Sequence, residues 1–450
     1  MSFMTLKEAA LACHGTIAAE YENLTFFGAS ADSRTIGAGQ LFVALEGARD
    51  GHDFAPMAMA RGAAAVLGRR ALDGIPVLIC ADPLKALGDI ARAWRQRLDT
   101  RVVGITGSVG KTTTKEMTAA VLAAAFSVHK TAANFNNHIG LPMTVLSIPE
   151  DCQMAVTEMG MNHFGEISYL TGIAQPDIAV ITNIGTMHIE YLGSREGILK
   201  AKLEILEGLR PGGRVILNGD EPLLRNAKIE QTPIFFGIDT NCDLRASELE
   251  SSAGSTAFRV TGLGADFRVT LPVEGRHHVY DALAATAVGL CAGVAPRQIT
   301  EALASFANTG DRQRSFAQNG FSIIADCYNA GPESTAAALS VLAGRKTGGR
   351  RIAVLGDMLE LGQTAEQAHY HTGELAAKAA DLLFAYGECS RFTVDGARAA
   401  GMDAVSARHF TEHAAMADAL KEIARPGDVL LFKGSHGMHM ERVLELFLAE

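Results

Sequence analysis

The chain has 450 residues, a length that corresponds to about three domains of roughly 150 residues each. Hydrophobic residues make up 48% and charged residues 20%, a balance typical of globular proteins and not of disordered or fibrous chains. A formal net charge of −10 argues against a nucleic-acid-binding surface, whereas a small anionic ligand needs only a local cluster of donors.

The predicted elements begin with a block of short apolar runs and helical patterns at residues 1–98. Strands are predicted at 41–45, 64–67 and 77–80, and a helix is predicted to run through Trp94 at the end of the block. This mixture is typical of a small α/β domain.

Apolar runs alternate with helical segments through the rest of the chain. In residues 99–308, strands are predicted at 102–106, 154–158, 178–182 and 215–218, with further half-buried strands within 231–274. In residues 309–450, they are predicted at 322–325, 352–355, 382–385 and 429–432. Strands that alternate with helices form largely parallel sheets covered on both faces. We therefore predict an α/β fold with a mostly parallel central sheet and a second doubly wound sheet.

A glycine-rich loop lies between the first strand and the first helix of the central block, in the sequence RVVGITGSVGKTTTKEM at 101–117. Its glycines and the two residues after them are Gly104, Gly107, Gly110, Lys111 and Thr112. Glycines let backbone N–H groups turn toward a phosphate, the lysine reaches the β- and γ-phosphates, and the hydroxyl can bind Mg²⁺. The strict GxxxxGK[ST] pattern fails, since its first glycine falls on Ile105. The strand–loop–helix context still favours nucleoside triphosphate binding over an empty turn.

Three polar residues follow or accompany the next strands. Glu158 ends an apolar run, where a carboxylate can hold Mg²⁺ or simply cap a helix. His188 follows the next strand, and it is either a ligand or an ordinary surface or core histidine. Lys202 lies on an amphipathic helical pattern, where a solvated lysine is the default.

Short motifs are spread along nearly the whole chain. They are Asp32-Ser-Arg, Asp50-Gly-His-Asp-Phe, the phosphate loop, Asn134-Phe-Asn-Asn-His, Thr157-Glu-Met-Gly-Met-Asn, Thr182-Asn-Ile-Gly-Thr-Met-His, Ala201-Lys-Leu-Glu-Ile, Asp326-Cys-Tyr-Asn-Ala-Gly-Pro, Val354-Leu-Gly-Asp-Met-Leu-Glu-Leu-Gly and Lys433-Gly-Ser. Together they resemble the motifs of the Mur ligases of peptidoglycan synthesis. The Tyr328-Asn-Ala-Gly-Pro and Leu355-Gly-Asp-Met-Leu-Glu-Leu-Gly stretches resemble in particular the family member that adds D-alanyl-D-alanine.

The resemblance implies three domains: a UDP-sugar-binding domain at 1–98, a P-loop ATPase at 99–308 and a Rossmann-like domain at 309–450. The last would bind D-alanyl-D-alanine and close on ATP. The implied reaction joins D-alanyl-D-alanine to UDP-N-acetylmuramoyl-tripeptide, with ATP and two Mg²⁺ ions, through an acyl phosphate. The implied protein is an ADP-forming ligase.

The resemblance also implies roles for individual residues. Thr112 and Glu158 would hold one Mg²⁺ and His188 a second, and Lys202 matches a lysine that many members carbamylate. The catalytic set would be Lys111, Glu158, His188, Lys202 and Arg312. The nucleotide set would be Gly107, Ser108, Val109, Gly110, Lys111, Thr112, Thr113, His278, Arg312 and Asp326. The substrate set would be Ser33, Arg34, Asn134, Asn137, Asn329 and Lys433, with the two asparagines equally able to serve in turns.

Two departures from the family pattern affect nucleotide binding. His278 and Asp281 stand where the family usually has two asparagines, the first of which contacts adenine. An imidazole can also hydrogen-bond and stack on a base. Asp311 replaces the usual glycine before the inter-domain arginine, and Arg314 is an alternative to Arg312 for the ATP phosphates.

Two alternatives stay open at this stage. A related Mur-type or folylpolyglutamate-type ligase would add a different amino acid, although no Asp-Asn-Pro-Arg-like signature for diaminopimelate is visible. The second alternative is a different class of protein, a nucleotide-binding scaffold without catalytic turnover. Only His278 and Asp281 support it.

The remaining expectations concern location. No apolar run approaches the roughly 18–20 residues that cross a bilayer, and no secretory signal precedes the first block. Seven scattered cysteines without CxxC spacing favour reduced thiols. We expect a cytoplasmic, monomeric enzyme without membrane insertion or a nucleic-acid partner.

Overall fold

The computed structural model describes residues 3–252, 254–307 and 313–449. The strands of this part form sheets of two, four, nine and six strands. No helix within these ranges is long and apolar enough to span a bilayer.

The N-terminal unit, residues 3–97, contains a short antiparallel pair, β1 with β2, and a parallel four-stranded sheet in the order β3-β4-β5-β6. Its elements are β1 (Met4–Thr5), α1 (Leu6–Cys13), β2 (Thr25–Phe26), β3 (Ala29–Ser30), β4 (Leu41–Val43), α2 (Ala55–Ala60), β5 (Ala65–Gly68), β6 (Val77–Ile79) and α3 (Pro83–Arg97). Helix α3 starts at Asp82, whose side chain accepts hydrogen bonds from the next turn, and its apolar face buries Trp94.

The central unit, residues 101–304, is a nine-stranded sheet in the order β15-β14-β13-β12-β11-β10-β7-β9-β8. Neighbours from β8 to β13 pair in parallel, and β13, β14 and β15 form an antiparallel meander at one edge. The elements are β7 (Arg101–Thr106), α4 (Lys111–Ala123), β8 (Val128–Lys130), α5 (Gly140–Leu146), β9 (Met154–Glu158), α6 (Glu166–Ala174), β10 (Ile178–Ile181), α7 (Ile189–Leu192), α8 (Arg195–Leu203), β11 (Arg214–Asn218), α9 (Pro222–Arg225), β12 (Ile234–Gly237), β13 (Leu244–Ser252), β14 (Ser255–Gly262), β15 (Ala265–Leu271), α10 (Arg276–Ala292) and α11 (Pro296–Ala304).

The C-terminal unit, residues 314–449, is a six-stranded sheet in the order β16-β17-β21-β18-β19-β20, parallel except for the edge strand β16. Its elements are β16 (Arg314–Gln318), β17 (Phe321–Asp326), α12 (Pro332–Gly344), β18 (Arg351–Gly356), α13 (Ala365–Ala379), β19 (Leu382–Tyr386), α14 (Ser390–Ala399), β20 (Ala407–Phe410), α15 (His413–Ile423), β21 (Val429–Lys433) and α16 (Met440–Leu448).

The predicted α/β fold is confirmed, and each predicted strand lies within two residues of an observed one. The sequence prediction missed the edge strands β3, β8, β16 and β20 and the short pair β1 and β2. An edge strand has one neighbour and is partly exposed, so it lacks the continuous apolar run that identifies a central strand.

The apolar clusters join two of the three units and leave the third separate. One cluster joins the N-terminal unit to the central sheet, and Trp94 seals it by donating its indole N–H to the carbonyl of Ile148. The C-terminal sheet has separate clusters on its two faces, and none of the described clusters joins it to the central unit. The described contacts between those two units include hydrogen bonds from Thr186 to Glu333 and between His188 and Glu360.

Two glycines let α13 and α14 cross closely. A Cβ added at Gly396 would lie 1.9 Å from the backbone oxygen of Tyr370, and one added at Gly373 would lie 1.9 Å from that of Thr393. Backbone atoms of a packed helix cannot move aside as a flexible side chain can, so both positions exclude a methyl group.

We expect Gly396→Ala to destabilise the C-terminal unit by about 1–3 kcal/mol, the usual cost of overpacking a tight core. Thermal unfolding followed by circular dichroism would show a lower Tm. Gly344→Ala at the end of α12 is the matched control, since its added Cβ meets nothing within 4 Å. An unchanged Tm for Gly396→Ala would contradict the close crossing.

Candidate active site

The glycine-rich loop connects β7 to α4 at the carboxyl edge of the central sheet. Gly107 has φ +154° and Gly110 has φ +84°, values that L side chains rarely adopt. A Cβ at Gly107 would lie 1.8 Å from Oγ1 of Thr182, and one at Gly110 would lie 2.4 Å from Oδ1 of Asp281. The loop therefore requires glycine at both positions, for backbone conformation and for space.

The residues after β10 hold the loop in place. The Asn183 side-chain oxygen accepts hydrogen bonds from the backbone N–H groups of Ser108 (3.1 Å) and Val109 (2.9 Å). The Asn183 amide and the Thr182 hydroxyl both donate to the backbone oxygen of Val109. The loop is thus preformed by its neighbouring strand, and two of its amides already have protein acceptors.

Lys111 lies across the loop at the first position of α4. Its Nζ donates to the carbonyl oxygens of Gly107 (2.8 Å) and Ser108 (3.3 Å). The ammonium group is therefore held over the loop at the N-terminus of a helix, where the helix dipole also favours an anion.

Glu158 ends β9 with a side chain that is 1% exposed. One carboxylate oxygen accepts from the Thr112 hydroxyl at 2.7 Å and the other from the Asn136 amide at 2.7 Å, while the backbone N–H of Glu158 donates to Oγ1 of Thr131. A hydroxyl beside a carboxylate is a donor set that fits Mg²⁺.

A metal ion here would have few protein ligands. The described ranges contain no group of three His, Cys, Asp or Glu side chains that could hold a metal. Mg²⁺ commonly uses one or two carboxylates and completes its shell with phosphate oxygens and water. The residues present therefore fit a magnesium–nucleotide complex better than an ion bound by protein alone.

His188 stands just before α7 with φ +63°. Its Nδ1 lies 2.5 Å from Oε2 of Glu360, which belongs to the C-terminal unit and also has a positive φ, +61°. The hydrogen bond from His188 lowers the pKa of Glu360 below its ordinary value. Within the described ranges, no hydrogen bond engages Nε2 of His188.

Lys202 is buried in α8, with 2% exposure, and not solvated as its position on an amphipathic pattern predicts. Burial, reinforced by the nearby Lys111 ammonium, holds the pKa of Lys202 well below its ordinary value. In the part of the chain that the structure describes, no carboxylate pairs with it. A lowered pKa shifts the amine toward its neutral, nucleophilic form.

A small cavity of about 220 Å³ lies beside the phosphate loop. It is lined by Val109, Gly110, Thr182, Asn183, Asn218, Asp220, Glu221, Phe236, His277, Tyr280 and Asp281. Burial would raise the pKa of Asp220, but hydrogen bonds from the backbone N–H groups of 238–240 and from Thr240 lower it to about 2. The Tyr280 hydroxyl also donates to Asp220, at 2.9 Å.

The two departures from the family pattern lie at the start of α10. Asp281 accepts a hydrogen bond from the Thr114 hydroxyl at 2.9 Å and lies beside Gly110. His278 is buried, with Nε2 2.9 Å from the side-chain oxygen of Gln313, which also contacts His277 at 2.7 Å. Burial, with His278 next to it, holds the pKa of His277 well below its ordinary value.

The C-terminal unit contributes the carboxyl ends of β17 and β21. Asp326 and Lys433 are register partners on these parallel strands, and Nζ of Lys433 lies 2.6 Å from Oδ2 of Asp326. Lys433 also donates to the backbone oxygen of Asn329 at 2.9 Å. This buried pair and the exposed Asn329 side chain face the central unit.

One cavity of about 440 Å³ brings most of the candidate residues together. Its lining includes Ser108, Val109, Gly110, Lys111, Thr113, Asn137, Glu158, His188, His278, Asp326, Asn329 and Lys433. Thr112 does not line the cavity, but its hydroxyl donates a hydrogen bond to Glu158, which does. Asn134 and Lys202 do not line it, and Arg312 lies outside the described residues.

Two candidate residues lie in the N-terminal unit, away from this cleft. The Ser33 hydroxyl is buried against the sulfur of Met57 at 3.5 Å. Arg34 is exposed and pairs with Asp32, whose pKa its hydrogen bonds lower to about 2.

Sequence reasoning missed four residues of the site as individuals: Asn136, Asn183, Gln313 and Glu360. Asn136, and not Asn134 or Asn137, contacts Glu158, whereas Asn137 caps α5 by accepting from the backbone N–H of Gly140. Asn136, Asn183 and Glu360 lie inside quoted motifs, which was the only available signal.

Comparisons with known proteins identify the family of this chain. Three family models match the chain: "Mur ligase family, catalytic domain" at 26–95, "Mur ligase middle domain" at 105–289 and "Mur ligase, glutamate ligase domain" at 311–436. The chain belongs to the Mur ligase family.

Its relatives within the family share one name. It is 43% identical to the UDP-N-acetylmuramoyl-tripeptide–D-alanyl-D-alanine ligase of Bacillus subtilis, over 98% of this chain and 97% of that protein. It is 37% identical to the Escherichia coli ligase of the same name, over 94% of each chain.

Two solved structures are similar over nearly their whole length. A crystal structure of MurF from Acinetobacter baumannii has a TM-score of 0.90 at 31% identity, with both chains fully covered. MurF from Thermotoga maritima in complex with ADP has a TM-score of 0.81 at 29% identity, over 94% of this chain and 97% of that one. The family resemblance in the sequence is therefore confirmed.

The buried Lys202 generates a pH prediction. Its pKa is lower folded than unfolded, so the unfolded state binds more protons at neutral pH, and stability rises as pH increases toward the unfolded value near 10.4. We expect Lys202→Met to raise Tm by a few degrees at pH 7 in bicarbonate-free buffer. The difference from the parent should shrink as pH increases from 7 to 10. A Tm difference independent of pH would contradict a neutral buried amine.

Proposed function

We propose that this chain joins D-alanyl-D-alanine to UDP-N-acetylmuramoyl-tripeptide in the synthesis of a peptidoglycan precursor, converting ATP to ADP and phosphate. The full-length similarity to ligases of that name and to an ADP-bound relative supports the proposal. The observation that carries it is the cleft between the central and C-terminal units, where a phosphate loop faces the Asp326–Lys433 pair.

The central unit binds the nucleotide in this proposal. Lys111 exchanges its two loop carbonyls for oxygens of the β- and γ-phosphates, and the backbone N–H groups at the start of α4 add donors. The contacts around the loop are assigned to Gly107, Ser108, Val109, Gly110, Thr112 and Thr113. Arg312 adds a cation at the phosphates, while His278 and Asp326 contact the nucleoside.

The metal sites follow from the donor atoms. Thr112 and Glu158 would hold one Mg²⁺, and His188 with a carbamylated Lys202 would hold a second. When bound, the ions neutralise phosphate and carboxylate charges that otherwise repel each other. Burial of the Lys202 amine, which lowers its pKa, supports carbamylation, since the neutral form of an amine can attack CO₂.

The chemistry activates a carboxylate whose own leaving group is poor. A carboxylate oxygen of the tripeptide attacks the γ-phosphorus, the bond from that phosphorus to the β,γ-bridging oxygen breaks, and ADP leaves. The amine of D-alanyl-D-alanine then attacks the acyl carbon, the carbon–oxygen bond to phosphate breaks, and the amine loses a proton. Such phosphoryl transfer depends chiefly on positioning and on offsetting charge.

Closure of the C-terminal unit supplies the positioning. Asn329 and Lys433 hold the incoming dipeptide, and Asn134 and Asn137 border the acceptor. Ser33 and Arg34 contact the UDP end in the N-terminal unit. We place the three domains at 1–98, 99–308 and 309–450, and assign a monomer that works in the cytoplasm.

The decisive experiment measures phosphate release with UDP-N-acetylmuramoyl-tripeptide and ATP. D-alanyl-D-alanine should support turnover, whereas single amino acids and folate substrates should not. Lys111→Ala should reduce turnover at least 10³-fold, since the phosphate contact serves the transition state, while the Kd for the UDP-sugar changes less than about threefold. Turnover with a single amino acid would favour the related ligases, and no turnover with any acceptor would favour a scaffold.

A second experiment tests the carbamate. Lys202→Ala should lose activity and regain part of it with added formate or acetate, whose oxygens replace those of the carbamate. Lys200→Ala, two residues away on the exposed side of α8, is the matched control and should show neither loss nor rescue. Full activity of Lys202→Ala without added acid would refute the carbamate.

A further inference from the structure

The loop that contains His188 contacts two segments of the C-terminal unit. Residues 331–333 lie on one side, where Glu333 accepts from the Thr186 hydroxyl at 3.0 Å. Residues 360–362 lie on the other, where Glu360 bonds to His188 and an added Cβ at Gly362 would lie 3.2 Å from Glu190. We call residues 185–190 with these two segments the closing contact.

The two units are closely packed at the closing contact. A Cβ added at Gly185 would lie 2.8 Å from the Glu333 carboxyl, and one at Gly331 would lie 2.8 Å from Met187. Because the described apolar clusters do not join the two units, these polar and glycine contacts are what fix the loop against the C-terminal unit.

Glu360 acts on a single ring nitrogen of His188. A carboxylate at Nδ1 fixes the tautomer with the proton on Nδ1, because the carboxylate can only accept. Nε2 then carries the lone pair, and His188 lines the cleft that holds the phosphate loop. Metal-ligating histidines almost always donate their other N–H in this way.

We propose that Glu360 is a positioning residue for the second metal ion: it holds His188 for ligation, and it does so from the C-terminal unit. The inference rests on the proposed function. Its consequence is that the metal site is complete only when the two units are closed on each other. The ion that assists activation is then bound tightly only when the amine-binding unit is also in place.

The test is Mn²⁺ binding followed by electron paramagnetic resonance, with a non-hydrolysable ATP analogue and UDP-N-acetylmuramoyl-tripeptide present. The parent should bind two ions. Glu360→Gln keeps the size and an acceptor oxygen but removes the charge, and it should weaken the second ion about 10–100-fold. The first ion, at Thr112 and Glu158, should bind as in the parent.

A double-mutant cycle separates a direct role from a general one. In a His188→Ala background, Glu360→Gln should cause no further loss of Mn²⁺ affinity, since its target is gone. Glu374→Gln is the matched control, because Glu374 makes a similar contact with exposed His371, at 2.9 Å, and its Mn²⁺ binding should equal the parent's.

Kinetics supply an independent readout. Raising Mg²⁺ should restore the kcat of Glu360→Gln, because the defect lies in metal affinity and not in folding. Parent-like binding of both ions by Glu360→Gln would overturn the proposal, as would a parent that binds only one ion. Neither result would affect the ligase function, which is measured separately by ADP release with D-alanyl-D-alanine.

Discussion

The hydrogen bonds between the Asn183 side chain and the phosphate loop are the constraint on which the site depends. The loop needs backbone conformations that favour glycine at 107 and 110. Such a segment lacks the regular backbone hydrogen bonds of a helix or sheet. The side chains of Asn183 and Thr182, which follow β10, supply hydrogen bonds to the loop backbone instead. Because β10 and β7 are adjacent parallel strands, the anchor and the loop end at the same sheet edge.

That edge also determines what surrounds the phosphates. Strand β9, on the other side of β7, ends at Glu158, so a buried carboxylate lies beside the Thr112 hydroxyl. Burying a carboxylate is costly unless it is hydrogen-bonded, and Thr112 and Asn136 satisfy both of its oxygens. Lys202 has no such compensation among the described residues, so its burial lowers its pKa.

The described apolar cores group the N-terminal and central units together and leave the C-terminal unit apart. The N-terminal and central units share a core sealed by Trp94, so they behave as one body. Glu333 and Glu360 of the C-terminal unit, and Gln313 just before it, hydrogen-bond to that body, and such bonds can be exchanged for water at little net cost. The described hydrogen bonds that join the C-terminal unit to that body therefore lie at the site itself.

The sequence by itself determined what is local. A strand, glycines at 107 and 110 and a helix start are contiguous, so one stretch of sequence specifies the phosphate loop. The apolar runs specified the inner strands of the three larger sheets. Only the tertiary structure decided that Glu360 meets His188, 172 residues away, and that Lys202 is buried. Periodicity identifies a face of a helix but not what covers it, and pairings across such separations depend on how whole sheets pack.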